Sequence, residues 1–165
     1  MSEKIIKYIG TPLEIIQEKP EMVVKWPRTL MHMHTYGKLS KFFQELKKGK
    51  LFATYCSNQD CEEKRLWLPP RADCPDCNQP TSWIEVPNPV VGKIYTFTKV
   101  EYPGEGIELE YPYFQIDVDL GPQFATIFKG YLLYGKPHIG MKVVAGFRIY
   151  NPTNTILDIF WVPKK

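Results

Sequence analysis

The stretch CSNQDCEEKRLWLPPRADCPDC, residues 56–77, holds every cysteine of the chain. Cys56 and Cys61 are separated by four residues and Cys74 and Cys77 by two, with twelve residues between the pairs. Tetrahedral zinc needs four soft donors converging on one point, and a close pair supplies half of them from a single turn of backbone. The loop between the pairs then brings the second half round. Four cysteines so placed, with none elsewhere, point to a metal site with Cys56, Cys61, Cys74 and Cys77 as ligands.

Three other readings of the same cysteines stay open. Disulfides need an oxidising compartment or a hyperthermophilic cytosol. A rubredoxin-type iron site uses the same ligand set, and a redox CxxC would use Cys74 and Cys77 alone. A closed four-cysteine zinc site leaves no position for water or substrate, so its expected role is structural. Within CPDCN the proline stiffens the turn between ligands, and Asn78 falls where such a knuckle turns left-handed, a conformation asparagine tolerates. The longer gap between Cys56 and Cys61 makes the first pair the looser half.

Beyond residue 90 the pattern becomes one of strands. The runs at 94–100, 113–120, 124–133, 142–150 and 156–162 are rich in β-formers and separated by turn residues. Phe114, Ile116, Val118 and Leu120 alternate with polar neighbours, as do Val143, Ala145, Phe147 and Ile149, so each strand is expected to bury one face. Five strands in so short a span suit a small closed barrel, the OB-fold being the commonest, with an SH3-like barrel or open sandwich as alternatives. Gly92, Gly130 and Gly146 are expected at its bends or bulges.

Toward the N-terminus, residues 38–50 predict a helix with Leu39, Phe42, Phe43 and Leu46 on one face and Gly49 as its stop. Lys47 and Lys48 suit the end of its dipole, and they are alternatively a basic rim for phosphates or an acidic partner. Residues 11–18 predict a second, short helix, with Thr11 as N-cap, Pro12 at the first position and Glu14 in a capping box. Residues 21–36 read as an extended connection whose Trp26, Leu30, Met31 and Met33 form a candidate docking element. The expected organisation is a helical arm over 1–50, a ribbon over 51–86 and a barrel over 87–165.

Charge and composition narrow the function. The chain has 165 residues, 44% hydrophobic, with a net charge of +3. Its basic excess lies in residues 1–55, which carry ten Lys and Arg against five Asp and Glu. Four thiolates and a zinc ion would lower the total to +1, and so weak a balance argues against nucleic acid. No run approaches the ~20 apolar residues of a membrane span, and MSEKIIKYIG lacks the features of a signal peptide. A soluble, cytoplasmic protein is expected. Among His32, His34 and His138 only the first two share a face, and two ligands without a third make a poor metal site.

The order of these features resembles a known family. Phe42, Phe43, Leu46 and Gly49-Lys50-Leu51 precede Cys56; Leu68-Pro69-Pro70-Arg71 precedes Cys74. Trp83 and Val91-Gly92-Lys93-Ile94-Tyr95-Thr96 follow, and Ile139-Gly140-Met141-Lys142-Val143 leads into a late strand. Residues 38–162 thereby resemble the acyl-CoA-associated zinc-ribbon and OB-fold proteins once catalogued as domain-of-unknown-function family thirty-five. The four-residue gap between Cys56 and Cys61 and Asn78 in place of glycine depart from that family's pattern. The resemblance implies a mainly β fold with an N-terminal helical segment, a rubredoxin-like zinc ribbon and a C-terminal five-stranded OB-fold barrel.

It also implies a function: a non-catalytic scaffold subunit, not itself an enzyme, that binds a thiolase-like enzyme such as thiolase or hydroxymethylglutaryl-CoA synthase. Such a subunit would help to hold or pass an acyl-CoA. An extended pantetheine arm needs an apolar groove with cations at its mouth, for which Lys93, Tyr95, Phe97, Lys99, Lys129 and Arg148 are candidate contacts. Each has an ordinary role on a barrel surface or in a core as its alternative. Arg71 is expected to tie the ribbon loop to its neighbours. The competing function is single-stranded nucleic-acid binding, which OB-folds also perform. Glu101, Glu105, Glu108, Glu110, Asp117 and Asp119 disfavour it by repelling a polyanion.

Overall fold

The computed structural model describes residues 12–25, 33, 35–102, 110 and 112–164. The chain divides into two units, Met1–His34 and Thr35–Lys165. In the first, β1 (Glu14–Gln17) pairs antiparallel with β2 (Val23–Lys25), Ile15 opposite Val24 and Glu14 opposite Lys25. Residues 14–17 are therefore a strand and not the expected helix. An isolated helix of two turns gains too few hydrogen bonds to offset nucleation. The adjacent β-branched Ile15 and Ile16 instead suit a ladder, which the Lys25–Glu14 ion pair at 3.3 Å closes. Thr11, Trp26, Leu30, Met31, His32 and His34 lie outside the described residues, and Met33 is exposed.

The second unit begins with a 3-10 turn, Gly37–Leu39, and α1 (Ser40–Leu46), shorter than the expected helix. Phe42 and Leu46 are fully buried on its inner face. Gly49, at φ +73°, ends it as anticipated: the N–H of Gly49 reaches Leu46 O at 2.9 Å and that of Lys50 reaches Glu45 O at 3.1 Å. These are the two bonds of a Schellman cap, whose left-handed residue glycine adopts without a Cβ clash.

From the cap the chain enters a ribbon, β3 (Leu51–Cys56) paired antiparallel with β4 (Thr81–Val86). Leu51 and Ala53 are buried in one core with Phe42, Leu46, Leu68 and the interior of the barrel. Buried Thr54 pins the loop from the other edge. Its backbone exchanges hydrogen bonds with Trp67, and its Oγ1 accepts from the N–H of Arg71 at 2.9 Å and donates to the Arg71 carbonyl at 3.1 Å.

The barrel is β5 (Val91–Val100), β6 (Tyr113–Asp119), β7 (Phe128–Leu132), β8 (Lys142–Phe147) and β9 (Ile159–Pro163). It closes in the order β5-β6-β7-β9-β8, with β7 and β9 parallel through Leu132 and Trp161. This is the mainly β architecture, ribbon plus five-stranded closed barrel, expected from the sequence. Ile116, Val118, Val143 and Trp161 point inward and are fully buried. Ile149, assigned to a buried face by alternation, lies past the end of β8 and is exposed.

Gly130 serves close approach rather than bending: a Cβ there would stand 2.6 Å from Nε1 of Trp161. The register irregularity lies instead in β5, between Ile94 and Thr96. One extra residue reverses the inward and outward parity of everything after it, so Phe97 pairs with core residue Ile116 while Thr96 and Thr98 pair with Asp117 and Gln115. Among the described residues no helix is long and apolar enough to cross a membrane.

The connection from β8 to β9 is organised by Asp158, fully buried and polar. Its carboxylate accepts from the Thr153 N–H at 2.6 Å, the Thr153 hydroxyl at 2.8 Å and the Asn154 N–H at 2.9 Å. Asp158→Asn presents an amide N–H₂ to some of these donors, leaving them unpaired. A loss of about 1–3 kcal/mol is expected, measured as a lower urea midpoint with unchanged slope.

Candidate metal centre

The ribbon carries its cysteines at the tip. Cys56 ends β3. Cys61 follows a turn in which the Asp60 N–H donates to Asn58 Oδ1 at 3.1 Å and the Cys61 N–H to Asn58 O at 3.3 Å. Lys64 Nζ caps the same turn on the carbonyls of Asn58 and Gln59. The second knuckle is tighter: the Cys74 N–H donates to Gln79 O and the Asn78 N–H to Cys74 O, both at 2.8 Å. Asn78 adopts φ +57°, the left-handed conformation expected of it.

These turns bring the four sulfurs within 4.8 Å of one another. Cys56 Sγ lies 3.5 Å from Cys77 Sγ and Cys61 Sγ 3.7 Å from Cys74 Sγ. Both separations are too long for a disulfide, whose sulfurs sit at about 2.05 Å. Four thiolates about 2.3 Å from a central zinc would stand about 3.8 Å apart. The donor set therefore fits one tetrahedral ion, and each of these two pairs draws one ligand from each knuckle.

The backbone prepares the sulfurs to carry charge. Cys56, Cys61 and Cys77 each accept a hydrogen bond from the N–H two residues on, that of Asn58, Glu63 and Gln79. The Gln79 bond, with smaller help from the Asn58 side chain, lowers the Cys77 thiol to about 7. Burial outweighs the same kind of bond elsewhere, raising Cys56 and pushing Cys61 up to about 12. A bound ion must displace those protons, so affinity falls as pH falls. Competition with a chromophoric chelator is expected to show affinity falling with pH, and more steeply below about 7, where the free Cys77 thiol also takes up its proton.

Arg71 acts as expected on the ribbon. Its carbonyl accepts from Thr81 Oγ1 as well as from Thr54, and its guanidinium lies 5.1 Å from the centre of the Trp67 ring. Outside the ribbon, the six candidate ligand contacts on the barrel do not form one surface. The bulge in β5 separates Lys93 from Phe97 and Lys99. Tyr95, at the bulge, is exposed, and Phe97 meets Phe114 edge-on at 6.2 Å. Lys99 pairs with Glu101 at 2.6 Å and Lys129 with Asp117 at 3.9 Å.

Arg148 is a neighbour of Tyr131, which with Lys129 lines a hollow of about 160 Å³ on the outer face of β6 and β7. Lys93 stands elsewhere, with Lys142 and Lys164. Neither of those two lysines is among the sequence candidates, and the structure places both in one hollow with Lys93. The signal is the barrel register itself, which sets Lys142 opposite Lys93. Glu105 and Glu108 lie outside the described residues.

No protein-family model and no curated protein matches the sequence. Solved structures do. One, described as "Ltp2-ChsH2(DUF35) aldolase", is 22% identical, with a TM-score of 0.61 over 80% of this chain and 98% of that one. Another is a DUF35 protein of unknown function from Sulfolobus solfataricus, 19% identical, with a TM-score of 0.55 over 79% of this chain and 87% of that one.

The first corrects the expectation that this chain is no enzyme, since a chain of its fold stands in a structure described as an aldolase. The expectation rested on the family resemblance, and a closed four-thiolate site excludes catalysis only at the metal. At these identities the likeness is one of fold: the ribbon and barrel described above are the architecture of the two DUF35 structures.

Proposed function

We propose that this chain is the metal-ribbon subunit of an enzyme complex that acts on acyl-CoA thioesters, binding a thiolase-like partner such as a thiolase, a hydroxymethylglutaryl-CoA synthase or a related enzyme. The observation that carries this reading is the match to nearly the whole of a DUF35 chain whose description joins Ltp2 and ChsH2 under one activity. Zinc is the ion assigned to Cys56, Cys61, Cys74 and Cys77, since a tetrahedral set of four thiolates is its preferred structural site. When bound, it cross-links the two knuckles. The residues of the chain fix the rest: the Thr54–Arg71 hydrogen bonds close the ribbon loop, and Leu51, Ala53 and Leu68 seat it in the barrel core.

Nucleic-acid binding finds less support on the same surface. Lys99 and Lys129, which a polyanion would need, are each within ion-pair distance of a carboxylate. The deciding experiment is affinity purification from the native cell, followed by assay of the isolated complex on acyl-CoA. Stoichiometric recovery of a thiolase-like enzyme, with turnover that depends on this chain, supports the reading. Recovery of no such enzyme, together with salt-sensitive binding of a labelled single-stranded oligonucleotide, overturns it.

A further inference from the structure

Two hollows in the second unit adjoin one another. The first, of about 330 Å³, has mostly apolar walls that include Leu66, Ile84, Val86, Pro89 and Phe124. The second, of about 380 Å³, carries Lys93, Lys142 and Lys164. Val91 and Leu120 line both, so an apolar groove leads into a basic one across a shared wall. The β6–β7 segment that forms part of this wall is fixed to the ribbon. Leu66 donates its N–H to Gln123 O and accepts from the Ala125 N–H, both at 2.8 Å.

The three lysines are set in place by the backbone. Lys93 and Lys142 stand directly opposite across β5 and β8, and the Lys164 N–H donates to the Lys142 carbonyl at 2.9 Å. Like charges directly opposite weaken a strand pair unless something offsets them. Among the described residues, no carboxylate lies within ion-pair distance of any of the three. Asp119, opposite Lys93 and itself in the lining of the basic hollow, accepts the Gly121 N–H at 2.8 Å and leaves the three lysines in excess by two charges. Glu85, in the apolar hollow, is engaged by Lys50 at 3.3 Å.

Three cations against one carboxylate, beside an apolar hollow, suit a ligand with an anionic head and a long, weakly polar arm. We propose that this groove binds a phosphate or diphosphate ester bearing an extended arm. The phosphates lie on Lys93, Lys142 and Lys164, and the arm passes Val91 and Leu120 toward Ile84 and Phe124. A CoA thioester is one source of that chemistry, and a free nucleoside diphosphate, which lacks the arm, is the other. Choosing the thioester rests on the function proposed above; the groove itself follows from its charge and walls.

The test is titration calorimetry on the metal-loaded full chain with CoA, ADP and pantetheine. CoA is expected to bind most tightly, and replacing Lys93, Lys142 and Lys164 together by alanine is expected to weaken it about tenfold or more. Lys136→Ala, a lysine outside the groove, should leave binding unchanged. Ile84→Asp is expected to weaken CoA while leaving ADP as in the wild type, which separates arm from head. Circular dichroism and metal content establish that each variant is folded.

ADP binding equal to CoA, unaffected by Ile84→Asp, assigns the basic end to a nucleotide and overturns the arm. Failure of the chain to bind CoA or ADP, or equal binding by the folded triple variant, overturns the site. If the native complex acts on acyl-CoA and yet the triple variant binds normally, the groove falls and the function stands. Lysine-dependent CoA binding by a chain with no enzyme partner supports the groove and overturns the function.

Discussion

Exchange of Cys74 for serine is expected to strip the metal from the ribbon and unravel its tip while the barrel keeps its cooperative unfolding transition. Cys74 is buried, and the cysteines form a cluster of their own, apart from the apolar core. The tip therefore has no hydrophobic packing to replace the ion. Structural zinc contributes about 10–16 kcal/mol of apparent binding energy in small finger peptides, far more than the few backbone bonds of these turns supply. The damage stops at the base of the ribbon, because Leu51 and Ala53 share their core with the barrel. Metal analysis should find no bound ion. Hydrogen exchange should show loss of protection at position 74 and at Thr81, whose amides bond to Gln79 and Ala72 in the wild type. Retained protection in a metal-free variant would falsify this account of the tip.

In the barrel, the largest single loss is expected from Trp161→Ala, about 3–5 kcal/mol. Trp161 is fully buried, stands opposite Ala145 on β8 and beside Leu132 on β7, and meets Phe128 edge-on at 6.2 Å. Its removal opens a cavity at the point where the parallel pair closes the barrel. Trp161→Phe is expected to cost well under half as much. It keeps most of the apolar volume and removes an indole N–H that has no hydrogen-bond partner among the described residues, and such an unpaired donor carries a penalty of its own. The two variants are compared by urea unfolding followed by far-ultraviolet circular dichroism. Equal losses would overturn the account, since both variants lack the indole N–H and only the phenylalanine refills the cavity.

The readable parts of this fold are those where one physical signal dominates. Alternation in β6 reports a half-buried strand, because polar Gln115 and Asp117 have nowhere to go but outward. Cysteine spacing reports the ribbon because thiolates have few other reasons to gather. The hairpin at residues 14–25 is hidden in the sequence because capping residues and β-branched residues compete over the same four positions, and only the pairing with Val23–Lys25 decides between them. The bulge at Tyr95 leaves no mark in composition, yet it shifts the pairing so that Phe97, still exposed, stands opposite the core residue Ile116. That single residue is why a line of barrel candidates drawn by counting in twos does not form a surface. Lys93, Lys142 and Lys164 are dispersed in sequence, and only barrel closure brings them together.

The parallel pairing of β7 with β9 also bears on how the barrel can close. Four of the five barrel junctions are antiparallel, but the seam that closes the cylinder is made by the fifth strand, added after β8. During synthesis the knuckles at residues 56–77 emerge well before that strand and can take up their ion while the barrel is still an open sheet with two unpaired edges. Open edges invite pairing with other chains, and distant closures form slowly. Leu51, Ala53 and Leu68 of the ribbon share the barrel's core, so the sheet closes against apolar surface that residues ahead of it in the chain supply.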